Sequence, residues 1–273
     1  MSGLALGLAL GSAFLHAFWN LVLAGTRDIQ AATAVALGVG LLAFAPVAAL
    51  TWRAEPQVWP YLAVTSLLQL TYFAFLTAAY ARADLSFVYP IARGGAPVLV
   101  LVASVVLLGT GTSAAQVLGV LLIAGGVLLV RGIGGHTGTV DLLLALAVAV
   151  CIASYTLVDK YGIRYASPVV YQELSMIVPT VAFLALTLRR RGVPAVRNAV
   201  RPITAAAGLA TFGAYVLVLA ALARAPAASV AAVRETSVVI ATALAAPVLR
   251  ERVGMPRVVG AVLVVAGVAL LGA

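Results

Sequence analysis

Arg93 lies in the middle of an apolar stretch, residues 79–108, within the run Tyr89-Pro-Ile-Ala-Arg93-Gly-Gly-Ala-Pro97. The stretch is long enough to cross a bilayer. A charge at that depth costs roughly 3 kcal/mol even on lenient insertion scales, so it belongs in a paired or watered environment rather than against lipid. Pro97 cannot donate to the carbonyl of Arg93, and Gly94 and Gly95 loosen the same turn. The run predicts a locally broken helix, with Pro90, Gly94, Gly95 and Pro97 supplying the break. Its freed backbone groups and guanidinium would then point into a cavity of the kind in which membrane carriers hold a solute.

Other ionisable or polar side chains fall at membrane depth: His16 and Asn20 in the first apolar run, Glu173 early in the seventh, and Arg234-Glu235 in the ninth. An offset of 142 residues lays Arg93 on Glu235. In helices related by a pseudo-twofold, their backbones would stand roughly 9 Å apart along the membrane normal, a gap an arginine can largely cover. Two readings stay open: a salt bridge that locks spans 4 and 9 together, and charges that line a central cavity to bind or couple. Arg93, Arg234 and Glu235 leave one positive charge in excess, which favours a solute whose carboxylate or phosphonate a guanidinium grips with two parallel hydrogen bonds. Glu173 in the same cavity would cancel that excess. Trp19, Tyr72, Tyr89 and Tyr155 are the rings available to wall the site, with Asn20 beside them. Glu235 and Glu173, and after them His16, are the candidate coupling groups, because burial disfavours the charged form of a carboxylate, an effect a bound arginine opposes. His136, Asp141 and Asp159 fall near span ends and are expected in water.

These residues must be positioned by membrane helices. A chain of 273 residues that is 64% hydrophobic and 9% charged, with mean hydropathy +1.14, cannot present a polar surface to water. Cutting at charged and turn-like residues gives ten segments near the ~20 residues a bilayer needs: 3–24, 31–51, 58–80, 85–108, 114–131, 139–160, 168–188, 203–223, 226–249 and 255–272. The first is a span rather than a cleavable leader, since no basic region or small-residue cleavage pattern accompanies it. The longest connection is 189–201. Ala79, Ala81-Arg82-Ala83 and Val88 recur as Ala221, Ala223-Arg224-Ala225 and Val230, and Gly119, Gly126-Val127 and Leu129 recur as Gly260, Gly267-Val268 and Leu270. Near-constant offsets along the chain predict two halves, 1–135 and 136–273, of five spans each. Five is odd, so the second half enters from the opposite side, which makes the repeat inverted.

The +9 charge would point to nucleic acid in a soluble chain, but here the charges lie between apolar runs and set topology. Odd-numbered loops carry eleven of the loop cations against four, which by the positive-inside rule puts both termini outside. Sixteen of the seventeen cations are arginine, which reads as the coding bias of a GC-rich genome. Cys151 stands alone, so there is no internal disulfide and no metal site, and its expected role is packing. Gly3, Gly7 and Gly11 form a small-residue stripe for helix packing or a weak homodimer face. No Walker loop, serine elbow or His-Glu-x-x-His is present, which leaves an intramembrane enzyme little to stand on.

The segments His16-Ala-Phe-Trp19-Asn20, Ala-Asp84-Leu-Ser86 leading to Tyr89-Pro90-Ile-Ala-Arg93-Gly94, Tyr155-Thr156-Leu-Val-Asp159 and Arg234-Glu235-Thr236-Ser237 resemble the EamA-type transporters of the drug/metabolite transporter superfamily, over the whole chain. The resemblance implies a ten-helix basket of two inverted repeats around a central cavity lined largely by spans 3, 4, 8 and 9. It implies a proton- or gradient-driven exporter of amino acids or related metabolites in the inner membrane of a bacterium; some similar proteins accompany phosphonate-utilisation genes. The family is usually drawn with cytoplasmic termini, against the charge count. Its Gly-Glu-Arg turn after span 4 is replaced here by Gly109-Thr-Gly111-Thr, while Arg250-Glu251-Arg252 stands after span 9.

The expectation is therefore an all-α polytopic protein that exports a small amino-acid-like or anionic metabolite without a cofactor. Its partners would be that solute, the bilayer and protons, with no nucleic acid, as a monomer or weak homodimer. The alternatives are a multidrug or cation exporter, and a non-transporting scaffold or lipid-handling subunit.

Overall fold

The computed structural model describes residues 1–80, 82, 85–131, 138–249 and 255–272; His136 lies outside them, as do the side chains of Tyr89 and Pro90. Among the described residues the chain forms helices throughout: α1 Gly3–Ala24, α2 Ile29–Leu50, α3 Val58–Tyr80, α4 Leu85–Val106, α5 Ala114–Arg131, α6 Thr139–Gly162, α7 Pro168–Ala199, α8 Pro202–Leu222, α9 Ala227–Arg234, α10 Thr236–Leu249 and α11 Met255–Gly272. Six of these, α1, α2, α3, α6, α7 and α8, are long and apolar enough to cross a membrane. Ile91–Val106, Ala114–Val130 and Val258–Leu271 are shorter apolar stretches.

Local chemistry sets several of the ends. The Asp28 carboxylate accepts from Ala31 N at 3.0 Å and caps α2, which so starts at Ile29, two residues ahead of the expected 31. Pro168 and Pro202 open α7 and α8, where a missing N–H costs nothing. The expected connection 189–201 is mostly helical: α7 runs on to Ala199 and is interrupted at Gly192, whose φ of 78° only a glycine takes easily.

Two differences from the sequence reading bear on function. The break expected in span 4 is absent: α4 is helical from Leu85 to Val106, through Pro90, Gly94, Gly95 and Pro97. Gly94 serves packing instead. A Cβ on Gly94 would meet the Ala124 carbonyl at 3.3 Å, so Gly94 seats α4 against α5, while one on Gly95 would make only ordinary contact with Ala149 Cβ of α6 at 3.6 Å. The break lies in the ninth segment, at Glu235, where neither proline nor glycine stands.

Helix pairing follows a twofold pattern. α1 packs on α8 as α3 packs on α6, α2 on α8 as α3 on α7, and α4 on α6 as α1 on α9 and α10; α2 meets α7 and α5 meets α11 across the divide. The last contact is reciprocal at atomic detail. A Cβ on Gly126 would lie 2.6 Å from the Gly260 carbonyl, and one on Gly260 would lie 2.6 Å from the Gly126 carbonyl; Gly119 and Gly267 oppose each other in the same way. Helices α5 and α11 therefore run antiparallel, and the axis relating them is perpendicular to both. Such an axis lies in the membrane plane, which is the inverted repeat.

The stripe of Gly3, Gly7 and Gly11 does not seat α1. Gly3 and Gly7 face open space, and Gly11 only touches Leu217 Cδ1 at 3.4 Å. The buried face is the parallel stripe Ala5, Ala9, Ala13 and Ala17, each at most 1% exposed. The glycine of α8 serves its other neighbour: a Cβ on Gly208 would lie 2.3 Å from the Ala36 carbonyl of α2.

Candidate functional site

The ninth segment carries four polar residues in a row, Arg234-Glu235-Thr236-Ser237, all buried. Two of them disturb the helix. Thr236 Oγ1 donates to the Val233 carbonyl at 2.8 Å, and a hydroxyl bonding back in this way competes with the helical ladder. Glu235 N bonds Ala232 O, three residues back rather than four, with ψ at −8°. The resulting tight turn aims the Glu235 carboxylate at α4.

Arg93 receives it. Its Nη1 donates to Glu235 Oε1 at 3.1 Å, with both side chains almost wholly buried. Its Nη2 contacts His16 Nε2. A guanidinium has no lone pair, so His16 accepts at Nε2 and its proton sits on Nδ1. The pair anticipated from the 142-residue offset is thus formed, and one arginine ties α1, α4 and the α9–α10 turn together. Glu235 Oε2 has no hydrogen-bond partner among the described residues. Arg234 Nε stands 3.9 Å from Glu235 Oε1, beyond hydrogen-bond reach, and is likewise buried without a partner among them.

A cavity of about 140 Å³ opens beside these charges. Arg93, Arg234, His16, Trp19, Tyr72 and Tyr155, all anticipated as site residues, lie on its wall. The rings interlock edge to face, Tyr72 with Tyr155 at 6.2 Å and His16 with Trp19 at 4.9 Å between centroids. The walls come mostly from α1, α2, α3 and α8, whereas α4 and α9 reach in through one arginine each among the described residues. This departs from a lining dominated by spans 3, 4, 8 and 9. The physical reason is that α4 spends its small face on α5 and α6, leaving only a long side chain to enter the cavity.

Several expected members lie elsewhere. Asn20 Nδ2 donates to the His16 carbonyl at 2.8 Å, bracing the helix instead of facing solute. Glu173 is buried in α7 but is not on the wall, and its Oε2 has no partner among the described residues. Gly94, Gly95 and Pro97 lie within the continuous α4 and off the wall. Asp141 joins Arg82 at the surface, at 3.3 Å.

Sequence reasoning missed the neighbouring buried group. Asp159, expected in water near a span end, is fully buried. Tyr171 Oη donates to its Oδ1 at 2.9 Å, and Tyr215 Oη donates to its Oδ2. Tyr215 and Gln172, neither singled out from sequence, also line the cavity. A larger cavity of about 390 Å³ lies at the loop end between α6 and the α8–α9 turn. Of its two cations Arg224 is exposed and half-buried Lys160 is spent on the carbonyls of Leu222 and Ala225, so the chemistry concentrates in the smaller, central one.

Comparison with known proteins agrees with this geometry. The model of the EamA-like transporter family matches residues 3–132 and again 140–273, once for each half. No curated protein matches the chain in sequence. A solved structure described only as the crystal structure of a protein superposes with a TM-score of 0.78 at 18% identity, covering 99% of this chain and 96% of its own, and so shares the fold. With a family match across nearly its whole length on either side of an internal twofold, the chain belongs to the EamA-like transporter family.

Proposed function

We propose that the protein is a secondary active transporter of a small amino-acid-like or anionic metabolite in a bacterial plasma membrane. The two halves, 1–135 and 136–273, would rock about α4 and α9 in alternating access. The chain would cross ten times, with α9 and α10 serving as one span. The observation that carries the reading is Arg234. It is a buried guanidinium on the cavity wall whose Nε lacks a hydrogen-bond partner among the described residues, while Glu235 is hydrogen-bonded to its neighbour Arg93. A carboxylate or phosphonate entering the cavity would supply the two acceptors such a fork needs.

Size supports the same reading. At about 140 Å³ the cavity is well below the roughly 300–1,000 Å³ of drug-sized sites. The aromatic wall of Trp19, Tyr72 and Tyr155 favours a second reading, export of hydrophobic cations. Two guanidiniums on the same wall oppose it. In either case the Arg93–Glu235 bridge is the lock that each transport cycle opens.

The test is thermal stabilisation of the detergent-purified protein by amino acids, organic acids, phosphonates and cationic drugs. A ligand at a hundred times its dissociation constant adds about 2.7 kcal/mol, a readable rise in melting temperature. The expected result is a hit among the anionic or zwitterionic compounds that disappears in Arg234→Ala. Hits confined to hydrophobic cations would transfer the protein to the multidrug reading. Silence from a folded sample would favour a scaffold or lipid-handling role.

A further inference from the structure

Two buried carboxylates are bonded to residues of the cavity wall, Glu235 to Arg93 and Asp159 to Tyr215, and they are held differently. Glu235 is bound by a cation, so adding a proton there would break an ion pair. The hydrogen-bond donors to Asp159 are neutral hydroxyls, those of Tyr171 and Tyr215. Adding a proton to Asp159 only reverses the direction of one of these bonds.

The Asp159 pocket is built for its occupant. Gly162 lies one turn further along α6, and a Cβ there would meet Tyr171 at 2.7 Å and Tyr61 Cβ at 2.8 Å. The glycine therefore makes the room in which the Tyr171 ring lies against α6 and reaches Asp159. The groups facing the carboxylate are Thr65 of α3, Tyr171 of α7, Tyr215 of α8 and, further off, Arg234 of α9, with Tyr61 of α3 behind Tyr171. Helix α4 brings Arg93 as its charged residue, turned to Glu235 and His16. Lys160, next in sequence, is committed to the carbonyls of Leu222 and Ala225.

We infer that Asp159 is the carrier's proton site and that Tyr215 transmits its state to the cavity, so that one proton binds together with one anionic solute. The part concerning the solute rests on the reading of the cavity given above. Tyr215 touches both places: it donates to Asp159 Oδ2 and lines the cavity. With Asp159 ionised, the Tyr215 hydrogen is spent on the carboxylate and its oxygen offers the cavity only lone pairs, which repel an anion. When a proton from water binds Oδ2, the new O–H donates to the Tyr215 oxygen. The Tyr215 hydrogen is then released to turn toward an acceptor in the cavity.

The charges agree with the hydrogen bonds. Arg93 and Arg234 are balanced by Glu235 and ionised Asp159, so the central set is neutral when empty. Protonation of Asp159 leaves one positive charge, which a single anion cancels. Solute and proton thus enter the low-dielectric layer together at the least electrostatic cost.

Infrared difference spectra of the full-length protein in nanodiscs, taken between high and low pH, test this. The carbonyl band of a protonated carboxylic acid should appear on acidification. It should shift when aspartate, and not glutamate, carries a 13C carboxyl, and it should vanish in Asp159→Asn. A sample in which no band moves with labelled aspartate, or whose aspartate band survives Asp159→Asn, overturns the assignment. If Asp159→Asn does not fold, the combined variant Asp28→Asn/Asp84→Asn/Asp141→Asn decides, since it must keep the band. Tyr215→Phe should keep the band at higher frequency, the signature of a carboxyl that has lost a hydrogen bond; an unchanged frequency overturns the relay. Methanesulfonate, a permanently charged probe without a carbonyl, should enlarge the band at fixed pH in the wild type and not in Tyr215→Phe. A band that belongs to Asp159 but ignores methanesulfonate would leave the proton site standing and remove the anion reading of the cavity.

Discussion

Helix α4 and the α9–α10 segment occupy equivalent places in the two halves, and they carry opposite local signals. α4 contains two prolines and a Gly-Gly pair and stays helical throughout. α9–α10 has neither residue near its centre and is pinched at Glu235. The difference teaches that, at the core of a membrane bundle, a helix is interrupted where a side chain has a better use for a backbone group or a distant partner. Pro and Gly only lower the cost of an interruption. In α4, Gly94 is taken up by close packing on α5. In α9–α10 the Thr236 hydroxyl takes a ladder carbonyl and Glu235 is drawn to Arg93.

The largest effect should follow from cutting the link between the two segments. Arg93→Ala leaves Glu235 buried with its main donor gone, and breaking a buried pair from one side costs about 3–5 kcal/mol. Arg93→Ala/Glu235→Gln should recover a substantial part of that loss, because the uncompensated charge is gone. Melting temperatures of the three purified proteins read the comparison. If the double variant is no more stable than Arg93→Ala, the bridge is not what fastens α4 to the turn.

Next in size are the glycines. Gly126→Ala and Gly260→Ala each drive a methyl toward a backbone carbonyl at 2.6 Å, which neither helix can yield without parting, so each should lose about 1–3 kcal/mol. Gly95→Ala meets only Ala149 Cβ at 3.6 Å and should be close to neutral. A severe loss at Gly95 would mean that α4 needs its glycines for bending after all.

The contrast also marks what the sequence could reveal. Helix positions were legible because lipid tolerates few charges, so most charged clusters fall between spans, Arg234-Glu235 being the exception. The Arg93–Glu235 pair was legible because the repeat offset joins residues 142 apart. The glycine partners, the pinch at Glu235 and the burial of Asp159 were not. Each depends on which side chain of another helix arrives opposite: Tyr171 and Tyr215, which convert a span-end aspartate into a buried one, come from elsewhere in the bundle. Asp159-x-x-Gly162 was a usable signal, an acid with a gap one turn on, but one that has meaning only once a ring is known to fill the gap.

A smaller effect is expected at Thr236. Thr236→Val keeps the shape and removes the hydroxyl bonded to the Val233 carbonyl. A buried neutral hydrogen bond contributes about 0.5–1.5 kcal/mol. Flux should fall more than stability does, because the variant lets the ladder close over Glu235 and moves its carboxylate away from Arg93.

The smallest effect should come from Pro97→Ala. The variant gains an N–H able to bond the Arg93 carbonyl, a contribution of about 0.5–1.5 kcal/mol. It loses buried ring methylenes, each about 0.8 kcal/mol of apolar burial. The two nearly cancel because α4 is already helical across this position, so melting temperature should change by no more than about 1 kcal/mol implies. Transport should also survive, since the bend that serves the site lies in α9–α10. Unchanged stability with a large loss of flux would mean that Pro97 bends α4 in another state of the cycle. The two equivalent helices would then be interrupted in alternation, one in each half at a time.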